Sequence, residues 1–338
     1  MSIVDKDILK TIREKAKKVK ARIVLPEALE PRILNAAAII HREGIAQLIL
    51  LGKKELIEEK ARTLSLSIEG ITIIDHLDDA YITEYTEGYY ALRKHKGITI
   101  DEAQNTLKNP VYFAAMMVRN QRADGFVAGA SFTTHDVGRA AIHCLGIARG
   151  IETVSSAFIM IVPIDERKSR LLIFADCGIV PDPTAGKLVD IAKSASRLLA
   201  DLFDIPPKVA LLSYSTKGSG VGDSVNKVRE ATNILKQEEP SLMVDGELQA
   251  DAALDEKVAM IKAPATVIKG DANILIFPNL DAGNIAYKLI QRLACADALG
   301  PLLLGLNFPA SDLSRGCSVN EIVDIVSVTS LRCGCKRC

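Results

Sequence analysis

The chain has 338 residues, 48% of them hydrophobic, which is ample for buried cores and suggests two domains of ~150 residues each. Lysine plus arginine (42) balances aspartate plus glutamate (42), which argues against nucleic acid as a partner, because phosphate-backbone binding needs a basic excess. No apolar run reaches the ~18 residues of a membrane span, and the charged start (Asp5, Lys6, Asp7, Lys10) carries no signal-peptide pattern, so a cytoplasmic protein is expected.

Strands and helices alternate along the chain, the mark of an α/β fold with mostly parallel sheets. A polar amphipathic helix is expected over Asp5 to Lys18, then a β-branched strand from Arg22 to Leu25, ended by Pro26-Glu27. Helix Pro31 to Glu43 follows, with Gly44 as its C-cap. Ala46 to Leu51 and Ile71 to Asp75 read as strands, and Thr99 with Glu102 as a capping box. The glycine-flanked strand Gly125 to Gly129 runs into a polar loop, Ser131 to Asp136, before helix Val137 to Leu145. In the second half, Ser155 to Val162 and Leu171 to Asp176 flank a charged turn and read as a hairpin. Pro183 is placed in the first turn of a helix ending near Leu202. Strand Lys208 to Tyr214, helix Asp223 to Lys236, strand Leu242 to Val244 and helix Ala252 to Ile261 come next. Strand Asn273 to Phe277, helix Asn284 to Ala298 and a last strand, Leu302 to Leu306, lead to the C-terminal motif. No internal repeat or low-complexity linker interrupts this order.

That motif, Asp312-Leu313-Ser314-Arg315-Gly316-Cys317, sets a hydroxyl beside a guanidinium, just before a helix that carries Glu321. An Arg fork grips phosphate or carboxylate at two points, a hydroxyl can donate to a developing oxyanion, and a carboxylate can take a proton. The three together suit acyl transfer to or from an acyl phosphate, although Ser-Arg-Gly also occurs in plain loops. Ligands of open α/β sheets bind beyond the carboxyl ends of strands. Two such loops stand out: Ser131 to Asp136, holding Ser131 and Thr133 with Arg139 just beyond, and Ser215 to Gly220, holding Ser215 and Lys217. Each reads equally as an anion site or a hydrophilic connection, and the second lacks P-loop spacing. The run Arg93-Lys94-His95-Lys96 is a solvated charge run or a seat for a phosphate-rich ligand such as a nucleotide or coenzyme A. His135 with Asp136 beside Ser131 has no nucleophile elbow around it. Asp176, Asp182 and Asp245 with Glu247 could bind Mg²⁺ only if they converge; solvated or capping carboxylates are the better reading, so no metal is expected. Cys144, Cys177 and Cys295 read as small reduced core residues; Cys317 lies within the C-terminal motif. Cys333, Cys335 and Cys338 read as a frayed tail.

Assembled, these phrases resemble the phosphotransacetylases (phosphate acetyltransferases) of the short, single-module kind. The resemblance spans nearly the whole chain. It rests on LRKHKGIT (Leu92 to Thr99), LSYSTKGS (Leu212 to Ser219), VDGELQADAA (Val244 to Ala253), NILIFPNLDAGNIAYKLIQRLA (Asn273 to Ala294) and DLSRGCS (Asp312 to Ser318). It implies two α/β domains with a cleft between, a fold resembling the isocitrate/isopropylmalate dehydrogenase type. Residues 1–149 with 304–338 would form the first domain and 150–303 the second, through which a homodimer would form. The implied reaction is reversible: acetyl phosphate plus coenzyme A gives acetyl-CoA plus phosphate, by direct thiolate attack in a ternary complex, with coenzyme A as a substrate and no cofactor. By resemblance, Arg315 would hold the phosphate of acetyl phosphate and Ser314 would bond the thiol or the oxyanion. Arg93 would meet a phosphate of coenzyme A, and Arg139 would help bind the acyl phosphate.

One departure bears on the chemistry. The family's base is typically Asp where this chain has Glu321, and the extra methylene can shift the oxygen by ~1 Å. Glu321 is still expected to be the base, with Asp324, one turn on, as a substitute. Ser311, where the family often has Asn, is a smaller departure. Two other readings stand beside this one: longer-acyl transfer as in phosphate butyryltransferases, and a coenzyme A-binding module without turnover. A decarboxylating dehydrogenase is suggested by fold resemblance alone.

Overall fold

A computed structural model describes residues 3–5, 7–78 and 80–335. The chain passes between two units. Leu9–Arg149 and Leu306–Cys338 form a flanking unit, and Met1–Ile8 with Gly150–Gly305 form a central unit. The opening residues therefore do not group with 9–149 as expected. Strand β1 (Ile3–Asp5) pairs antiparallel with the central strand Lys168–Ala175, Ile3 opposite Arg170, so the first helix starts only at Ile8.

The flanking unit is built in chain order from α1 (Ile8–Val19), β2 (Arg22–Leu25), α2 (Pro31–Glu43), β3 (Gln47–Leu51), α3 (Lys54–Thr63) and β4 (Thr72–Ile74). Helices α4 (Ile82–Arg93), α5 (Ile100–Leu107) and α6 (Pro110–Arg119) follow, then β5 (Gly125–Ala128) and α7 (Thr134–Leu145). Helices α3, α4 and α6 had no counterpart in the sequence reading. Neighbouring strands run in the order β4-β3-β2-β5 and are parallel, with Ile23 opposite Leu48 and Val24 opposite Phe126. Strands covered on both faces become continuous apolar runs, as in the Arg22–Leu25 and Gln47–Leu51 segments. Helix α2 starts where Glu30 accepts the Arg32 and Ile33 amides, with Pro31 at its first turn. It stops at Gly44, whose φ of 68° is the left-handed cap that a side chain would strain.

The central unit holds β6 (Ser155–Pro163), β7 (Lys168–Ala175), α8 (Ala185–Phe203), β8 (Lys208–Leu212), α9 (Asp223–Glu238), β9 (Met243–Leu248), α10 (Ala250–Leu254) and α11 (Glu256–Lys262). Then come β10 (Ile274–Ile276), α12 (Leu280–Leu293) and β11 (Asp297–Leu304). Its strands follow the order β11-β6-β7-β10-β8-β9. The hairpin β6–β7 is antiparallel around Asp165, which accepts the Arg167 and Lys168 amides, while β7, β10, β8 and β9 are parallel. Thr184 caps α8, so Pro183 lies just outside the helix rather than within its first turn. The helix expected over Asn284 to Ala298 ends at Leu293, because Asp297–Leu304 pairs antiparallel with β6. The helix expected over Ala252 to Ile261 is two, broken at Asp255, whose carboxylate caps the second. Cys295, expected in the core, is exposed between α12 and β11.

The chain returns to the flanking unit through β12 (Ala310–Asp312), which lies parallel to β5 with Ser311 opposite Val127. The C-terminal motif follows this short strand, not the Leu302 to Leu306 segment. Helix α13 (Val319–Gly334) then packs Ile322, Val323 and Val326 into a core shared with Ile33, Leu34 and Ala37 of α2. Cys333 packs against that core and donates to the Thr329 carbonyl, and Cys335 donates to the Leu331 carbonyl, so neither forms a frayed tail. Cys338 lies outside the described residues.

Candidate active site at three strand ends

Strands β2, β5 and β12 are neighbours and parallel, so their carboxyl ends meet at one edge of the flanking unit. Each hands the chain to a loop there, the position where open α/β sheets bind ligands. After β2 comes Glu27, a residue to which the sequence reading gave no role. It is only 7% exposed, and its carboxylate accepts four consecutive amides of the loop after β5: Gly129 (2.7 Å), Ala130 (3.0 Å), Ser131 (2.5 Å) and Phe132 (3.1 Å). These donors, which an anion would otherwise use, are consumed internally. The Ser131 side chain is exposed, and Thr133 serves α7 as N-cap, accepting the Asp136 amide and donating to the Asp136 carboxylate.

Arg32, also given no role from sequence, ties the loops together. One of its terminal nitrogens donates to the carbonyls of Arg315 (2.8 Å) and Cys317 (3.0 Å), the other to Ala130 (3.0 Å), while its Nε is held by Glu30. The planar fork fixes these donors in one orientation. Ser314 and Arg315 emerge exposed from this tied loop. Asp312, the last residue of β12, lies two positions before Ser314 and is completely buried. Its Oδ2 accepts from the Thr134 hydroxyl at 2.5 Å; the Leu313 amide lies close to the carboxyl, and Oδ1 has no well-aligned hydrogen-bond partner among the described residues. Burial pushes this carboxyl up to about 7 and the nearby Glu27 adds to the rise, while the Thr134 hydroxyl, the Leu313 amide and Arg315 oppose it. Gly129 makes room: its φ is 115°, and a Cβ there would lie 2.1 Å from Asp312 Oδ1.

The other carboxylates are placed differently. Glu321 completes a capping box with Ser318, accepting its amide at 2.6 Å. Asp324 is buried and bonded by Arg13 Nε at 2.7 Å, which leaves it poorly suited to replace Glu321. Cys317 is buried, and burial raises its thiol to about 11, so it is no nucleophile at neutral pH.

Arg93 ends α4, and Arg139 lies on α7, where it bonds His135. Both guanidiniums act on one aromatic cluster, Tyr89, Tyr112 and His143; Tyr89 Oη lies 3.3 Å from His143 Nδ1. Burial, then Arg93 and Arg139, push His143 down to about 4, so it is neutral beside two fixed cations. The structure thus brings Arg93 and Arg139 to one cluster, while Lys94, His95 and Lys96 form an exposed 3₁₀ turn.

Ser215 and Lys217 belong to the central unit. Ser215 is buried and donates to Glu247; Lys217 is paired with Asp245 at 2.6 Å, and Lys236 with the same carboxylate at 2.8 Å. Glu247 also holds Arg229 and the Gly218 amide, and lies low, at about 2, because those hydrogen bonds outweigh its burial. Asp176 accepts Ser156 and three amides of its own loop, and Asp182 pairs with Lys227. Among the described residues no group of three His, Cys, Asp or Glu side chains is placed to hold a metal ion. No helix among them is long and apolar enough to cross a membrane.

The family described as "Phosphate acetyl/butaryl transferase" matches residues 7–330. The chain belongs to this family. It is 47% identical over 326 residues to the phosphate acetyltransferase of Thermoanaerobacterium thermosaccharolyticum, covering 96% of this chain and 99% of that protein. A solved phosphotransacetylase from Streptococcus pyogenes superposes with a TM-score of 0.91 at 39% identity, over 98% of this chain and 99% of that one. A 4-hydroxythreonine-4-phosphate dehydrogenase from Klebsiella pneumoniae shares the fold alone, with a TM-score of 0.52 at 11% identity, over 92% of this chain and 98% of that one. The dehydrogenase-like α/β architecture expected from sequence is therefore the one observed.

Proposed function

We propose that the chain transfers an acetyl group reversibly between acetyl phosphate and coenzyme A, giving acetyl-CoA and phosphate by direct thiolate attack. Family membership supplies the reaction class. The observation that carries the reading is the exposed Ser314–Arg315 pair, presented by a loop that Arg32 ties to its neighbour. The Arg315 fork holds the phosphate, and the Ser314 hydroxyl donates to the carbonyl oxygen as it gains charge. Arg93 and Arg139 bind anionic groups of the two substrates. A coenzyme A thiol has a pKa near ~8.5, so at neutral pH its proton must pass to a carboxylate of the site. Glu321 is the position that the resemblance marks for that role. Ser215 and Lys217 already serve Glu247 and Asp245, so we assign them the shaping of their own loop. Ser131 and Thr133 line the loop after β5. Coenzyme A is a substrate, and the reaction calls for no cofactor.

We also propose a cytoplasmic homodimer formed through the central unit. Support comes from α12, where Ile285, Leu289 and Leu293 stand in one exposed apolar stripe, Leu293 at 81% exposure. The test of the activity is thioester formation by the purified chain from coenzyme A with acetyl phosphate, and with butyryl phosphate in parallel. Faster turnover of acetyl phosphate is expected. Preference for butyryl would change the substrate, and coenzyme A binding without turnover of either would overturn the reading.

A further inference from the structure

We propose that the thiol proton is taken by the Asp312–Thr134 pair, with Thr134 as the group that meets the substrate and Asp312 as the buried acceptor behind it. The inference deepens the acyl-transfer reading above and rests on it. Three observations lead there. Asp312 is two residues before Ser314, fully buried, with Oδ2 bound to Thr134 and no ion pair or well-aligned partner for Oδ1 among the described residues. An ionised carboxylate held that way without an ion pair is costly, so it takes up a proton readily. Thr134 is half-exposed in the first turn of α7, where the helix dipole favours negative charge. And Glu321, the position inherited for this task, already accepts the Ser318 amide in a capping box.

The groups facing Asp312 set its affinity for a proton. Burial raises it most and Glu27, from the end of β2, adds to that; the Thr134 hydroxyl, from α7, the Leu313 amide, and Arg315, from its own loop, lower it. The result is a carboxyl poised near neutrality, the condition under which one group both accepts and returns a proton at pH 7. In the forward step the S–H bond breaks, its proton goes to Thr134 Oγ1, and the Thr134 proton passes to Asp312 Oδ2. Sulfur attacks the acetyl carbon, the C–O bond to phosphate breaks with its electron pair, and the departing phosphate takes the proton back along the same two groups. No proton is gained or lost by the chain over the cycle.

The test compares Asp312→Asn, Thr134→Val, Thr134→Ser and Glu321→Gln in the full chain, measuring kcat, both KM values and the pH profile of kcat. Losses on the order of 10²–10³-fold in kcat are expected for Asp312→Asn and Thr134→Val, with KM values within about 3-fold. Thr134→Ser should restore most of the rate. The acid limb of the profile, near pH 7 in the unmodified chain, should vanish with Asp312→Asn and survive Glu321→Gln. A limb that survives Asp312→Asn, or one removed by Glu321→Gln while Thr134→Val turns over normally, overturns the proposal. Should Asp312→Asn fail to fold, Thr134→Val decides alone, because it is nearly isosteric. Absence of turnover in the unmodified chain would instead refute the acyl-transfer reading, which keeps the two failures apart.

Discussion

Replacing Glu27 by glutamine tests how the site is organised. The carboxylate spreads four amide hydrogen bonds over two oxygens, two on each. Glutamine has nearly the same shape but one acceptor, so it can keep only one pair. Its NH₂ group then faces the other two amides, donor against donor. Each buried donor left without a partner costs about 1–3 kcal/mol, so the loss is about 2–6 kcal/mol before relaxation. The Ser131–Phe132 end of the loop is not fully buried and can turn partly to water, so about 3 kcal/mol is the expected net cost. The two units need not unfold together, and a single melting curve is therefore a poor readout. Hydrogen exchange on the peptide spanning 126–134 reports the loop directly, and about 3 kcal/mol corresponds to exchange on the order of 10²-fold faster. The same change removes a negative charge near Asp312, so the acid limb of kcat should move to lower pH. Exchange within 3-fold of the unmodified chain, with an unmoved limb, would refute the claim that Glu27 holds this loop.

Arg315→Gln should lower kcat/KM for acetyl phosphate by about 10–10²-fold, the loss of a charged hydrogen bond, while the coenzyme A KM changes little; steady-state kinetics with each substrate varied will tell. Cys317→Ala should keep a substantial rate, and iodoacetamide should label Cys317 slowly at pH 7, because a thiol raised to about 11 is only ~0.01% ionised. Asp312 adds a stability signature. Its folded pKa lies above its ordinary value, so it favours the folded state fully below pH ~4 and loses that contribution as pH rises through about 7. The protection from hydrogen exchange of the peptide carrying position 312, compared at each pH, should therefore rise in Asp312→Asn relative to the unmodified chain between pH 4 and 8. Leu289→Lys should shift the mass measured by light scattering toward the monomer, and an unchanged dimer would remove α12 from the interface.

Local signals were legible in the sequence. The Thr99–Glu102 capping box, the Gly44 stop and the Asp165 turn each need only a few neighbouring residues, and each forms as read. The same Ser/Thr-x-x-Glu signature is present at Ser318–Glu321, and it too forms a capping box. Partners far along the chain were not legible. Glu27 meets donors more than a hundred residues away, and Asp324 meets Arg13 from the opposite end of the chain. Strand β12 is three residues, Ala-Ser-Asp, with no β-branched residue to mark it; pairing in the sheet, with β5 among its neighbours, makes it a strand. The motif itself was found by its residue types, but that Asp312 lies buried beneath it depends on Gly129, whose missing side chain admits the carboxylate.

The flanking unit is interrupted by Gly150–Gly305 of the central one, and this affects how the protein is made. During synthesis, β5 emerges with one edge bare, and the strand that covers it arrives only after Gly150–Gly305 has been translated. At ~5–20 residues per second, that interval is on the order of ten seconds or more. Throughout it the Glu27 carboxylate and the Gly129–Phe132 loop can assemble, but Asp312, Ser314 and Arg315 do not yet exist. A nascent chain is thus an unfinished sheet before it is an enzyme. One later stretch delivers together the strand that closes the bare edge and Asp312, Ser314 and Arg315.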